Sequence, residues 1–157
     1  MQPDKPLLFL KKRKESHKNS YRFYASSKYL SNRLSELGIG QNKAFTIRFP
    51  KLEQDLIPHF IRGFFDGDGC ISVYLLKNKY QSCSFSITSN KDFLEKIQEI
   101  LIEQLQLTKT KLGRDSRGNN INSLVYGGKQ NCLKIRDWLY KDATIYLQRK
   151  YDKFYSI

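Results

Sequence analysis

An apolar run at helical spacing, Ile57 to Phe65, ends on two aspartates set between glycines, Asp66-Gly67-Asp68-Gly69, and passes at once into a strand pattern. This junction constrains the fold because a helix C-terminus carries partial negative charge and repels carboxylates, so two acids placed there need a cation or another purpose. The strand pattern that follows is the clearest periodicity in the chain. Ile71, Val73 and Leu75 alternate with Ser72, Tyr74 and Leu76, and later Cys83, Phe85 and Ile87 alternate with Ser82, Ser84, Ser86 and Thr88. A period of two sends successive side chains to opposite faces, which predicts two antiparallel strands sharing one apolar and one hydroxyl-rich face.

The flanking segments read as further elements. Asp55 is expected to N-cap the apolar helix, which tolerates Pro58 only in its first turn. Asn90 caps a helix whose buried stripe is Phe93, Ile97, Ile100, Leu101, Leu105 and Leu107. Lys109 to Asn122 is polar and turn-rich, with one or two strands. Asn122 to Tyr126 reads as a strand, Cys132, Ile135, Trp138 and Leu139 as the core side of a helix, and Ala143 to Phe154 as a last helix. Upstream, Tyr21 to Ala25 has strand character. Leu30, Leu34, Leu37 and Ile39 mark a helix ended by Gly38 and Gly40, and Ala44 to Phe49 alternates up to Pro50. Residues 1–19 are basic and aperiodic, as in a flexible arm. A faint echo links Phe23 to Lys28 with Leu124 to Lys129, a similarity that chance also produces.

The 157 residues suffice for one compact domain. Twenty-eight lysines and arginines against 15 aspartates and glutamates give a formal net charge of +13, spread along the chain, which favours an extended polyanion as partner. No apolar run reaches the roughly 18 residues of a membrane span and no signal peptide opens the chain, so no membrane partner and an intracellular location are expected. The three cysteines, Cys70, Cys83 and Cys132, have no C-x-x-C spacing and only two histidines for company, which argues against zinc and against a disulfide framework.

The acidic segment has three readings. Asp-Gly pairs are common turn punctuation. A calcium loop of the EF-hand type is excluded by register, because its first ligand position would be Phe64 and its last Leu75. The third uses the helix itself: Gly63 and Gly67 lie four apart on one face and let the backbone of a second helix approach. Two helices packed there bring their terminal acids together around a divalent cation.

Ile61-Arg62-Gly63-Phe64-Phe65-Asp66-Gly67-Asp68-Gly69 resembles the signature of the LAGLIDADG homing endonucleases. The order of strands and helices that follows is similar to that family's core, over roughly residues 52–155. The resemblance implies an α+β fold, an αββαββα half-fold whose curved antiparallel sheet straddles the DNA major groove. Signature helices would meet at a two-fold or pseudo-two-fold interface, here through Gly63, Phe64 and Gly67. It also implies that Asp68 is the metal-binding catalytic acid and the Gly67 carbonyl a second ligand, with Asp66 more structural. Ser89 falls where many members carry a glutamine or asparagine that positions water, and serine is shorter. The basic residue near the reacting phosphate falls in Gln148-Arg149-Lys150, with Lys150 preferred to Arg149.

Only one signature is present, so double-strand cleavage requires a homodimer or a second half-domain. Residues 20–51, with Ser26-Ser27-Lys28 and Gln41-Asn42-Lys43, resemble the close of a preceding half-domain, with Lys43 as its basic residue. The expected organisation is therefore a basic arm (1–19), that partial segment (20–51) and a half-domain (52–157).

On the hydroxyl-rich face Ser72, Tyr74, Tyr80, Ser82, Ser84, Ser86 and Thr88 are placed to meet base edges, with Arg114, Arg117, Asn119 and Asn122 as further donors. Lys77, Lys79, Lys109 and Lys111 suit phosphates. An ordinary solvated sheet face is the alternative. The expected function is a site-specific double-stranded DNA endonuclease using Mg2+, or another divalent cation such as Mn2+ or Ca2+, of the kind that moves introns or inteins. Its compartment is the cytoplasm of a bacterium or phage-infected cell, or an organelle. The rivals are a non-catalytic DNA-binding regulator or an intron RNA-splicing maturase on the same fold, and an unrelated RNA-binding module.

Overall fold

The computed structural model describes residues 7–12, 14–16, 19–22, 24, 26–36, 47–77, 80–114 and 121–157. It divides into two compact units, Met1–Leu37 and Gly38–Ile157.

In the first unit β1 (Leu8–Leu10) pairs antiparallel with β2 (Ser20–Arg22). The Phe9 and Tyr21 rings, on directly opposed residues, lie 5.4 Å apart. The backbone N–H of Lys12 donates to Asn19 Oδ1 at 2.9 Å. Helix α1 (Lys28–Glu36) starts with Leu30 N donating to Ser27 Oγ at 3.2 Å, and none of its residues is buried. Strand β1 lies within the segment whose sequence shows no period. A three-residue strand is too short to display alternation, and its partner supplies the pairing. Phe23, Ala25, Lys43, the glycine stop at Gly38 and Gly40, and the segment from Ala44 to Thr46 lie outside the described residues.

The second unit runs α2 (Ile57–Asp68), β3 (Gly69–Leu75), β4 (Gln81–Ser89), α3 (Lys91–Leu105), β5 (Gly113–Arg114), β6 (Asn122–Gly127), α4 (Lys129–Tyr140) and α5 (Gln148–Tyr155). The αββαββα order implied by the resemblance is present, extended by α5, and the fold is α+β. Four antiparallel strands form one sheet in the order β3-β4-β6-β5. Ile71, Cys83, Phe85, Ile87, Leu124 and Tyr126 are buried on its helix-facing side. They meet Ile61 and Phe65 of α2, Phe93, Leu94, Ile97 and Leu101 of α3, Ile135 and Leu139 of α4, and Phe154 of α5. Phe65 stacks on Phe85 at 4.9 Å and touches Phe154 at 5.4 Å, so α2, the sheet and α5 share one aromatic contact. Full burial of such side chains contributes about 1.5–3 kcal/mol each.

Several local expectations are corrected. Asp55 is not the N-cap of α2: it lies in a 3-10 turn (Gln54–Leu56), and Leu56 takes the cap position without a side-chain bond. Pro58 does fall in the first turn, where its missing N–H costs nothing. Asn90 caps α3 as expected, accepting from Phe93 N at 3.0 Å while donating to Ile47 O at 2.8 Å. Leu107 is buried, but outside the helix, because Gln106 turns left-handed at φ 53°. Leu75 is 72% exposed, since β3 runs beyond the helices that cover its start. The last helix begins at Gln148, not near Ala143.

Candidate metal-bearing turn and open sheet face

Helix α2 is built with two different sides. Ile61 and Phe65 enter the core, and Phe60 and Phe64 are half-buried against Phe93 and Phe49, Phe64 lying 4.6 Å from Phe93. Phe64 thus packs within its own chain. Gly63 and Gly67 are exposed, and a Cβ built on either meets nothing within 4 Å. Position 69, where the helix gives way to extended backbone, has no room for a side chain, because a Cβ there would collide with the Phe65 ring and lie 2.8 Å from Phe65 O.

The two acids have different fates. Asp66 accepts from the backbone N–H of Leu147 at 2.9 Å and from the Tyr140 hydroxyl at 3.5 Å. Burial, and then the Asp66 charge, push the Tyr140 phenol up. Arg62, one turn earlier on the same face, is buried and donates to Leu139 O at 2.7 Å and Ile145 O at 3.1 Å. Together they fasten the end of α4 and the loop to α5 onto α2. Asp68 is exposed, and its carboxylate makes no hydrogen bond or ion pair among the described residues.

Lys150 is 5% exposed, with its ammonium 4.9 Å from the Phe65 ring centre. It donates to Phe65 O at 2.5 Å, Gly69 O at 2.5 Å and Asp66 O at 3.0 Å. Burial, then the neighbouring Arg149 charge, lower its pKa, while Asp66 opposes the shift. Arg149 is exposed beside it. Ser89 is 6% exposed at the end of β4, on the helix-facing parity of Phe85 and Ile87, so the water-positioning role implied for it has no support in its placement.

The other side of the sheet carries none of the second unit's described helices, whose buried residues meet the face of Phe85, Ile87 and Leu124. Register brings Cys70 opposite Ser86, Ser72 opposite Ser84 and Tyr74 opposite Ser82 on this open face, with Ser123 opposite Thr88 and Val125 opposite Ser86 on β6. Tyr74 and Tyr80 are 44% and 71% exposed. Lys77, Lys109 and Lys111 are exposed. Asn122 pairs with Ser89 and Arg114 pairs with Asn122, which puts both on the opposite parity from the hydroxyls; Arg114 is exposed on the edge strand. Ser123 and Val125 take the places sequence reasoning gave to Asn122, and the alternation Ser123, Val125, Gly127 was the available signal. Lys79, Arg117 and Asn119 lie outside the described residues.

The donors at the α2 terminus suit a hard cation. The Asp68 carboxylate and the Gly67 carbonyl offer oxygen donors, the type magnesium, manganese and calcium take. A single chain offers only that much, and no cluster of three or more His, Cys, Asp or Glu side chains occurs among the described residues. The described cysteines are unpaired: Cys70 is exposed, Cys83 and Cys132 are buried. No described helix is long and apolar enough to cross a membrane.

A family model described as LAGLIDADG endonuclease matches residues 61–154. No curated protein matches the chain. Among solved structures, the homing endonuclease I-CvuI, in complex with a DNA target in the presence of Mg, aligns with a TM-score of 0.47 and 17% identity over 64% of this chain and 62% of that one. An archaeal intron-encoded homing endonuclease, I-Vdi141I, complexed with DNA, gives 0.48 and 20% over 66% and 67%. The I-SmaMI LAGLIDADG homing endonuclease bound to cleaved DNA gives 0.47 and 21% over 82% and 42%. The alignment thus spans about three fifths of the first of these proteins and about two fifths of the last.

Proposed function

The chain belongs to the LAGLIDADG endonuclease family, and on that premise we propose that it hydrolyses phosphodiester bonds at a specific site in double-stranded DNA with a divalent cation. The observation that carries this reading is the contrast between the two acids: Asp66 is consumed inside the fold, while Asp68 is left exposed at the helix end. Asp68 and the Gly67 carbonyl are the ligands. A cation held there supplies Lewis-acid polarisation of the phosphate and lowers the pKa of a bound water. Arg149, exposed at the start of α5, is a cation placed to stabilise charge developing on the phosphate.

One chain brings one such acid, so cutting both strands calls for two. The empty space over Gly63 and Gly67 suits a second glycine-faced helix, from another copy of this chain or from a preceding half-domain whose closing segment is residues 20–51. The open face supplies recognition. Ser72, Tyr74, Ser82, Ser84, Ser86, Thr88 and Ser123 present donors and acceptors at every second position, a spacing a β-ribbon can use in the major groove. Lys77, Lys109 and Lys111 suit phosphates and add affinity without sequence information. Activity of this kind would serve intron or intein mobility.

The test is incubation with a library of duplex targets, with Mg2+ present or chelated, comparing wild type with Asp68→Asn. Metal-dependent cutting that Asp68→Asn abolishes, with binding retained, is the expected result. Metal-independent binding without cutting by the wild type would assign the chain to the DNA-binding regulators or maturases on this fold.

A further inference from the structure

Helices α2 and α5 meet end to end at the acidic turn, and each takes a charge from the other. The carboxylate of Asp66, in the last turn of α2, accepts from the N–H of Leu147, the N-cap residue of α5. In return Lys150, in the first turn of α5, donates to the carbonyls of Phe65, Asp66 and Gly69 around the end of α2. Terminal N–H and C=O groups lack partners within their own helices, and the macrodipole favours an anion at the first end and a cation at the last. The two contacts are thus reciprocal caps. A lysine ammonium has three N–H donors and no acceptor, and here three carbonyls receive it.

We propose that Lys150 is a positioning residue for the metal-bearing turn: with Asp66 it clamps the two helix ends so that Asp68, lying between two carbonyls that Lys150 holds, is set in ligating position. Lys150 itself does not touch the scissile phosphate. This inference rests on the metal role of Asp68 given above. It differs from the role first read for Lys150, and it leaves the exposed Arg149 as a cation for that role.

The full chain is compared as wild type, Lys150→Met, Asp66→Asn and the double variant. The first measurement is amide exchange at Gly69, whose N–H donates to Phe65 O. Lys150→Met should speed it about tenfold relative to core amides such as that of Phe85, the change expected for losing roughly one such bond. The second is the Mg2+ concentration for half-maximal cleavage, read beside the single-turnover rate at saturating Mg2+. Both single variants should raise the Mg2+ requirement while leaving the saturating rate near wild type, and the double variant should be no worse than the worse single, because both groups serve one clamp. An unchanged Mg2+ requirement with a collapsed saturating rate would overturn the inference, because Lys150 would then act on the phosphate. Unchanged protection of Gly69 would overturn it as well. That measurement needs neither DNA nor metal, so it decides the clamp even if the wild type does not cleave. Should Lys150→Met fail to fold, Asp66→Asn is read in the same two assays, and unchanged protection of Gly69 or an unchanged Mg2+ requirement then overturns the clamp.

Discussion

Replacing Gly63 and Gly67 by alanine separates what these glycines do for the folded chain from what they do for assembly. Both sit in α2, at exposed positions where a Cβ would meet nothing within 4 Å. Inside the isolated chain a glycine at such a place is a cost, since alanine is favoured in a helix interior by about 0.5–1 kcal/mol. The double variant should therefore be more stable by about 1–2 kcal/mol, which for a chain of this size raises Tm by roughly 2–8 °C. In an assembly that brings two such helices together the same methyls sit between backbones. Overpacking costs about 1–3 kcal/mol per insertion, and a symmetric pair carries every insertion twice. Self-association should weaken by well over tenfold, each 1.4 kcal/mol being about a factor of ten. Thermal melts at low protein concentration and sedimentation across a concentration series, on the same samples, report the two effects separately. A variant that is less stable at low concentration, or that associates as well as wild type, would refute the reasoning: the first by revealing an unrecognised neighbour, the second by showing that the glycine face is not the contact.

Gly69→Ala should destabilise the chain by about 1–3 kcal/mol in urea titration, because its Cβ would collide with Phe65; a midpoint equal to wild type would refute the close approach. Asp66→Asn should cost about 1–3 kcal/mol of stability through the bonds to Leu147 and Tyr140, whereas Asp68→Asn, exposed and unbonded, should stay within about 0.5 kcal/mol and still lose cleavage; equal melting shifts for the two would contradict the division of labour. Burial pushes the Cys132 thiol from 9.0 up to about 12, so the folded state keeps its proton where the unfolded chain has lost it. Its share of stability is full below pH 9 and is lost as pH rises toward 12, so Cys132→Ala should flatten the alkaline decline in denaturant midpoints, and parallel pH profiles would count against it.

The parts of the fold that sequence made legible are those where one residue's environment follows from its neighbours along the chain. Ser82 to Ser89 alternates so regularly that both faces of β4 can be read from it, and the same parity already sends Ser89 inward with Phe85 and Ile87. Asn90 announces α3 because a short polar side chain before an apolar stripe has one obvious use. Asn122 was misplaced because its face depends on which residue of β4 it pairs with, and register between distant strands is not written in either strand alone. Lys150 stands among polar and charged residues in Gln148-Arg149-Lys150 and reads as a surface cation. Its burial depends on where α5 docks, 82 positions after Asp68. Arg62 and Asp66, one helical turn apart, could have been read as a pair on one face. Their targets, carbonyls and an N–H between Leu139 and Leu147, are visible only in three dimensions.

The alternation along β4 also governs how such a protein can change. Cys83, Phe85 and Ile87 answer to the interior, while Ser82, Ser84, Ser86 and Thr88 answer only to whatever lies against the uncovered side. A substitution among the second group alters the hydrogen-bonding pattern offered there without disturbing a single packed ring, so drift in preference and loss of structural integrity are decoupled residue by residue. A laboratory library confined to those positions can vary what that face offers on an unchanged scaffold.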